Sequence, residues 1–89
     1  MEAYNIVVIG IVQGVGFRYY TKIVADKYQL QGTVQNLSNG NVKIYVKGKQ
    51  YELLRFLEWC HEGPSSAQVD RLEYTYSEVR NIDDFKIIR

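Results

Sequence analysis

Near the middle of an 89-residue chain stands the pair Asn39-Gly40, and no other two residues constrain the fold more. The two-residue turn this pair favours needs positive φ at both central positions, which few residues other than Asn and Gly tolerate. Before it, Gln31 to Ser38 reads as a strand. After it, "NVKIYVKG" alternates, with Val42, Ile44 and Val46 pointing one way and Lys43, Tyr45 and Lys47 the other. A hairpin is therefore expected at the centre, and the segments on either side must pack on that ribbon.

Those segments come in similar halves. Tyr4 to Val12, "YNIVVIGIV", is β-branched and almost continuously apolar, as a central strand should be. From Tyr19 to Tyr28 the period changes: Tyr20, Ile23, Val24 and Tyr28 recur at helical spacing. Tyr51 to Glu62 predicts a second helix with Leu53, Leu54, Phe56, Leu57 and Cys60 as its apolar stripe. Gly63 is placed to end it in a left-handed cap, and Pro64 cannot continue it. Gln68 to Tyr76 predicts a fourth strand through Leu72, Tyr74 and Tyr76. Val69 is out of phase with these, which predicts a bulge near Asp70. A short strand, "DFKII", closes the chain. The order β-α-β-β-α-β plus a terminal strand predicts an α+β, ferredoxin-like split βαβ arrangement, an antiparallel sheet with two helices on one face. Residues 1–89 are expected to form a single domain.

Composition narrows the function classes. The hydrophobic fraction of 46% and charged fraction of 24% suit a folded protein. No stretch approaches the roughly 18 apolar residues of a membrane helix, and the N-terminus lacks a signal-peptide pattern, so the expected location is the cytoplasm. One cysteine, Cys60, allows no internal disulfide. The net charge of +1 argues against a general nucleic-acid footprint. Charge is unevenly placed, however: from Ala3 to Ala25 there is no acid, while Arg18 and Lys22 both fall inside that window.

Within the window lies "GIVQGVGFRYY", Gly10 to Tyr20, at the junction of the first strand and first helix. The candidate helix caps, Gly16 and Phe17, carry no side-chain acceptor, so the initial amides lack the usual partner. Free amides at the positive end of a helix, flexible glycines and the Arg18 guanidinium together suit a phosphate or sulfate ion. An ordinary glycine turn with a solvated Arg18 fits the same residues. A Walker-type loop is excluded because the segment ends Gly-Phe-Arg, and a dinucleotide loop because Tyr19 stands where a third glycine is needed. On the anion-site reading, the expected group is a small isolated phosphoryl rather than a nucleotide tail.

Asn36 is the second candidate. The helix from Tyr19 to Tyr28 carries the chain away by about 15 Å, and the strand from Gln31 to Asn36 returns it by roughly 16 Å. In a crossover to a parallel strand, Asn36 ends level with the glycine loop, on the same face as Val34 and close to Arg18. Asn36 as a simple hairpin starter is the competing reading. His61 reads as a solvated residue at a helix end and Cys60 as core. One His, one Cys and no acid beside the loop predict neither a zinc nor a magnesium site. The eight tyrosines raise base stacking, with Lys43, Tyr45, Lys47, Thr75 and Tyr74 as an RNA-binding sheet face.

The residues also resemble a known family. "GIVQGVGFR" (Gly10 to Arg18) matches the acylphosphatase signature Gly-x-Val-Gln-Gly-Val-x-Phe-Arg at every specified position. "GTVQNLSNGNV" (Gly32 to Val42), "GPSSAQV" (Gly63 to Val69) and the closing "FKIIR" are similar to later family landmarks, so the resemblance spans nearly the whole chain. It implies an enzyme that hydrolyses the carboxyl–phosphate anhydride of small acyl phosphates, without metal or cofactor. By the resemblance, Arg18 holds the phosphoryl group, Asn36 orients the attacking water, and backbone amides of Gly14, Val15, Gly16 and Phe17 complete the cradle. Phosphate or sulfate is the product-like ligand, and no nucleic-acid or membrane partner is expected of what should be a monomer. Thr33 departs from the pattern, where an aromatic residue is usual, and Asn39 takes a turn position often held by Asp. A catalytically silent relative acting as an interaction domain is the remaining alternative.

Overall fold

The computed structural model describes residues 1–89. Its elements are β1 (Glu2–Ile11), α1 (Phe17–Lys27), β2 (Gln31–Asn36), β3 (Val42–Gly48), α2 (Gln50–Glu62), β4 (Gln68–Tyr76) and β5 (Phe85–Ile88). They form one five-stranded sheet in the order β4-β1-β3-β2-β5. The first four strands pair antiparallel, which is the expected ferredoxin-like arrangement, with β1 and β3 central. β5 pairs parallel with β2, so the sheet as a whole is mixed rather than antiparallel.

The central hairpin forms, but by a different turn. Asn39 keeps negative φ, and only Gly40 adopts positive φ, at 95°. Gly40 N–H donates to the Leu37 carbonyl at 3.2 Å and Leu37 N–H to the Asn41 carbonyl at 2.8 Å. The result is a three-residue connection in which one left-handed glycine suffices. Asn39 contributes through its side chain, whose Oδ1 accepts the Asn41 N–H at 3.0 Å.

Strand β1 contributes Tyr4, Ile6 and Val8 to the core, β2 and β3 contribute Val34, Val42, Ile44 and Val46, and both helices lie over that face. From α2 come Leu53, Phe56, Leu57 and Cys60, as its periodicity predicts. Leu54, expected in the same stripe, is exposed. α2 ends at Gly63 with φ 67° and ψ −172°, so the positive φ is present without the left-handed helical ψ. The face of α1 is rotated from expectation. Phe17, Thr21 and Ala25 are buried, with Val24 and Tyr28 partly so, whereas Tyr20 and Ile23 are exposed. Small Thr21 and Ala25 let the helix approach the sheet closely. Thr21 tolerates full burial because its hydroxyl donates to the Phe17 carbonyl one turn back, at 2.7 Å.

The predicted bulge is at Asp70. Ile9 opposes Arg71 and Gly10 opposes Val69, which leaves Asp70 unpaired between them. Gly10 makes this possible: at φ 146° a Cβ there would lie 2.1 Å from the Gln68 carbonyl oxygen. The bulge brings Val69 back to the core side, where it packs against the buried cluster.

β4 and β5 occupy opposite edges, so their connection, residues 77–84, must cross the sheet. Helices fill one face; the connection takes the other. Its ends are tied by Ser77 N–H to the Ala3 carbonyl and by Gly32 N–H to the Asp84 carbonyl, both at 2.9 Å. In passing it covers Tyr45 and Lys47, leaving them 2% and 7% exposed. The Tyr45 hydroxyl donates to the Glu78 carbonyl at 3.0 Å and accepts the Arg80 N–H at 2.6 Å. The Arg80 guanidinium stacks over the Tyr45 ring at 4.3 Å, and Lys47 Nζ donates to the Arg80 carbonyl. Tyr74 lies on the helix side, edge-on to Tyr4 at 5.8 Å. The aromatic face required for RNA stacking is therefore absent: one tyrosine is roofed over and the other points the opposite way.

Candidate active site

The loop after β1 opens α1 with two left-handed glycines, Gly14 at φ 74° and Gly16 at φ 78°. Gly16 is the N-cap and offers no side-chain hydrogen bond, and the first turn holds no acidic residue. The first α-helical backbone bond runs from Tyr20 N–H to the Gly16 carbonyl at 3.1 Å, so the amides of Phe17, Arg18 and Tyr19 precede the helical ladder. Three donors at the positive end of a helix, with no protein acceptor supplied, form an anion-binding feature.

The residues that carry these amides line a cleft of about 260 Å³. Gly14, Gly16, Phe17, Arg18 and Asn36 all line it, so the crossover does bring Arg18 and Asn36 to one place, as the length argument requires. Val12, Tyr19, Ile87 and Arg89 complete the wall, and no carboxylate side chain is among them. Val15 differs from the other loop residues: its side chain packs on the core, and its carbonyl accepts the Ser66 hydroxyl at 2.7 Å. Lys22, the other cation in the acid-free window, stays outside. It pairs with Asp26 at 3.1 Å and donates to the Phe85 carbonyl at 2.8 Å.

Arg18 is oriented by β5, since its Nη1 donates to the Ile88 carbonyl at 3.1 Å. This leaves the remaining guanidinium N–H groups for a ligand. Gln13 ties the loop to the hairpin that carries Asn36, its Nε2 donating to the Leu37 carbonyl at 2.7 Å and the Asn41 carbonyl at 2.8 Å. Ser66 holds the loop from the α2–β4 connection. Cys60 is fully buried away from the cleft, and burial pushes its thiol far above the ordinary range, which leaves it inert as a nucleophile. His61 is exposed at the end of α2, outside the site. Nowhere do His, Cys, Asp or Glu side chains gather in a group of three able to hold a metal. The arrangement can bind a tetrahedral dianion and hold a neutral nucleophile beside it through the Asn36 carboxamide.

A family model for acylphosphatases matches residues 4–87. The chain belongs to the acylphosphatase family. It is 41% identical over 87 residues to the acylphosphatase of Archaeoglobus fulgidus, covering 98% of both chains. Its structure is similar to the crystal structure of acylphosphatase from Bacillus subtilis, with a TM-score of 0.97, 37% identity and full coverage of both chains. Full-length HypF in its phosphate- and nucleotide-bound form contains a similar segment, with a TM-score of 0.88 and 34% identity; the match covers 99% of this chain and 12% of that one.

The cleft and its supports also involve residues that the sequence alone does not single out. Gln13 stands inside the family signature, yet its role needs the turn carbonyls brought near by the fold. The Ile88 carbonyl and the side chains of Ile87 and Arg89 reach the cleft only because β5 runs parallel to β2. The signal that could have pointed to Tyr19 is an aromatic residue directly after Arg18, on the turn already marked as a candidate site.

No helix is long and apolar enough to cross a membrane.

Proposed function

We propose that the cleft hydrolyses acyl phosphates with Arg18 and Asn36 as its catalytic side chains and without a resident metal. The observation that carries this reading is the meeting of Arg18 and Asn36 over the uncapped start of α1 in a cleft lined by no carboxylate side chain. The phosphoryl group rests on amides of the Gly14–Phe17 loop, and Arg18 bridges its oxygens. Asn36 holds a water that attacks phosphorus in line. The new P–O bond forms as the bond to the acyl oxygen breaks, the electron pair leaves with the carboxylate, and the water's proton passes to the phosphate product. A carboxylate is a good leaving group, so the absence of a strong general acid among the lining residues suits this reaction. Catalysis then comes from positioning and charge stabilisation. The phosphate-bound form of the related HypF supports phosphate as the product-like ligand. A single buried cysteine is compatible with a reducing compartment, and we place the protein in the cytoplasm as a monomer.

The test is hydrolysis of benzoyl phosphate by the wild type, with and without a chelator, beside Arg18→Ala and Asn36→Ala. Turnover should survive chelation. Removing a preorganised donor of this type costs about 10²–10³ in rate. Arg18→Ala should lose at least that factor with weakened substrate binding, and Asn36→Ala should lose mainly kcat. A folded wild type no faster than Arg18→Ala would overturn the enzyme reading. Full kcat in Asn36→Ala would remove its water-orienting role.

A further inference from the structure

The first turn of α1 sends three side chains in three directions. Phe17 enters the core, Arg18 reaches the Ile88 carbonyl on β5, and Tyr19 stands at the mouth of the cleft, 60% exposed. An exposed tyrosine by itself needs no explanation. This one lines the same cleft as Arg18 and Asn36 and has an aromatic neighbour. Its ring meets Tyr20 edge-on, with centroids 5.2 Å apart and planes at 76°. The Tyr20 ring in turn lies against Gly16, where a Cβ would sit 3.5 Å from its Cε2. The Tyr20 ring thus lies between the N-cap glycine and the Tyr19 ring.

The phosphoryl end of the cleft is occupied by the loop amides, Arg18 and Asn36. The acyl half of a substrate must project from there toward the rest of the wall, which is apolar at Val12, Tyr19 and Ile87 and cationic at Arg89. Val12 is fully buried and Ile87 only partly accessible, which leaves Tyr19 as the large apolar surface available for contact. We infer that Tyr19 is a specificity-determining residue whose ring receives the acyl group and favours flat, apolar acyl phosphates, aromatic ones above all, over small ones such as acetyl phosphate. This inference rests on the acyl phosphate reading of the cleft. The ring touches a part of the substrate that does not change during phosphoryl transfer, so its contact is similar in the ground and transition states. It therefore acts on KM rather than kcat.

The experiment compares kcat/KM for benzoyl and acetyl phosphate in the wild type, Tyr19→Ala and Tyr19→Phe. The ratio of the two constants does not depend on the fraction of active protein, so a partly unfolded variant still gives a valid reading. The wild type should prefer benzoyl phosphate. Tyr19→Ala should lower that preference roughly tenfold, the scale of one aromatic contact, through a raised KM for benzoyl phosphate. Tyr19→Phe should keep it, because the ring and not the hydroxyl makes the contact. An unchanged preference in Tyr19→Ala, or a loss carried by kcat alone, would overturn the inference while the hydrolase reading stood. A wild type inert toward both substrates would overturn the hydrolase reading, and the role of Tyr19 with it.

Discussion

Gln13→Leu keeps the approximate shape of the side chain and removes the one amide that joins the glycine loop to the β2–β3 turn. Two hydrogen bonds are lost, at 2.7 and 2.8 Å. Neither acceptor is left without a partner, since the Leu37 carbonyl still accepts Gly40 N–H and the Asn41 carbonyl still accepts Leu37 N–H. The cost is then set by the net worth of two hydrogen bonds and not by orphaned carbonyls. That places it at about 1–2 kcal/mol, which in a domain this small lowers the Tm by roughly 6–12 °C. Urea unfolding followed by fluorescence of Trp59, which packs against Phe17 at 5.5 Å, reads the stability directly. Activity should suffer more than stability. Asn36 lies one residue before Leu37, and a displacement of about 1 Å in a positioned group can cost on the order of 10² in rate. The expected result is a kcat for benzoyl phosphate lowered at least tenfold at temperatures where the variant is fully folded. A stability loss with unchanged kcat would show that the bridge holds the fold and not the site. No change in either would refute the reasoning, for the loop would then keep its place without Gln13.

Three further outcomes follow from burial elsewhere in the molecule. Tyr45→Phe removes the hydroxyl that holds residues 77–84 to the sheet at both Glu78 and Arg80; it should cost about 1–3 kcal/mol and raise the rate of tryptic cleavage after Arg80 under native conditions, as followed by mass spectrometry. Burial raises the Cys60 thiol, so the folded form holds its proton at pH values where the unfolded form, titrating at about 8.5, releases it. Stability linked to this group is therefore complete below about pH 8.5 and falls as pH rises above it, by about 1.4 kcal/mol at one unit beyond, in urea melts where Cys60→Ala lacks this component. The native thiol should also resist a disulfide reagent that labels it at once in urea.

How far the site was readable depends on the range of the interaction concerned. Arg18 and the glycines are neighbours in sequence, and the lack of a capping side chain at Gly16 is visible in the residue types alone. Asn36 was placed near them by adding one helix rise to one strand rise, because a βαβ crossover with known spacings leaves little freedom. The bulge at Asp70 was legible for a similar reason, since a break in strict alternation has few structural meanings. The face of α1 was not. Tyr20 and Ile23 are more hydrophobic than Thr21 and Ala25, but close helix–sheet approach rewards small side chains, and a hydroxyl bonded to its own helix can be buried. Tyr45 and Lys47 were likewise placed on the correct face of β3, yet the strand pattern carries no mark of the connection that later passes over them.

The sequence by itself determined the elements, the split βαβ order and the uncapped, acid-free start of the first helix, because periodicity, turn residues and helix-end amides are properties of short stretches of chain. Only the tertiary structure decided what surrounds the glycine loop. The bonds from Gln13 to the Leu37 and Asn41 carbonyls and from Ser66 to the Val15 carbonyl, the carbonyl that orients Arg18 and the wall supplied by β5 all join residues distant in the chain. The parallel pairing of β5 is the decisive step, for it requires residues 77–84 to cross the sheet. That one crossing both carries the C-terminal strand to the cleft and buries the face that would otherwise have remained open.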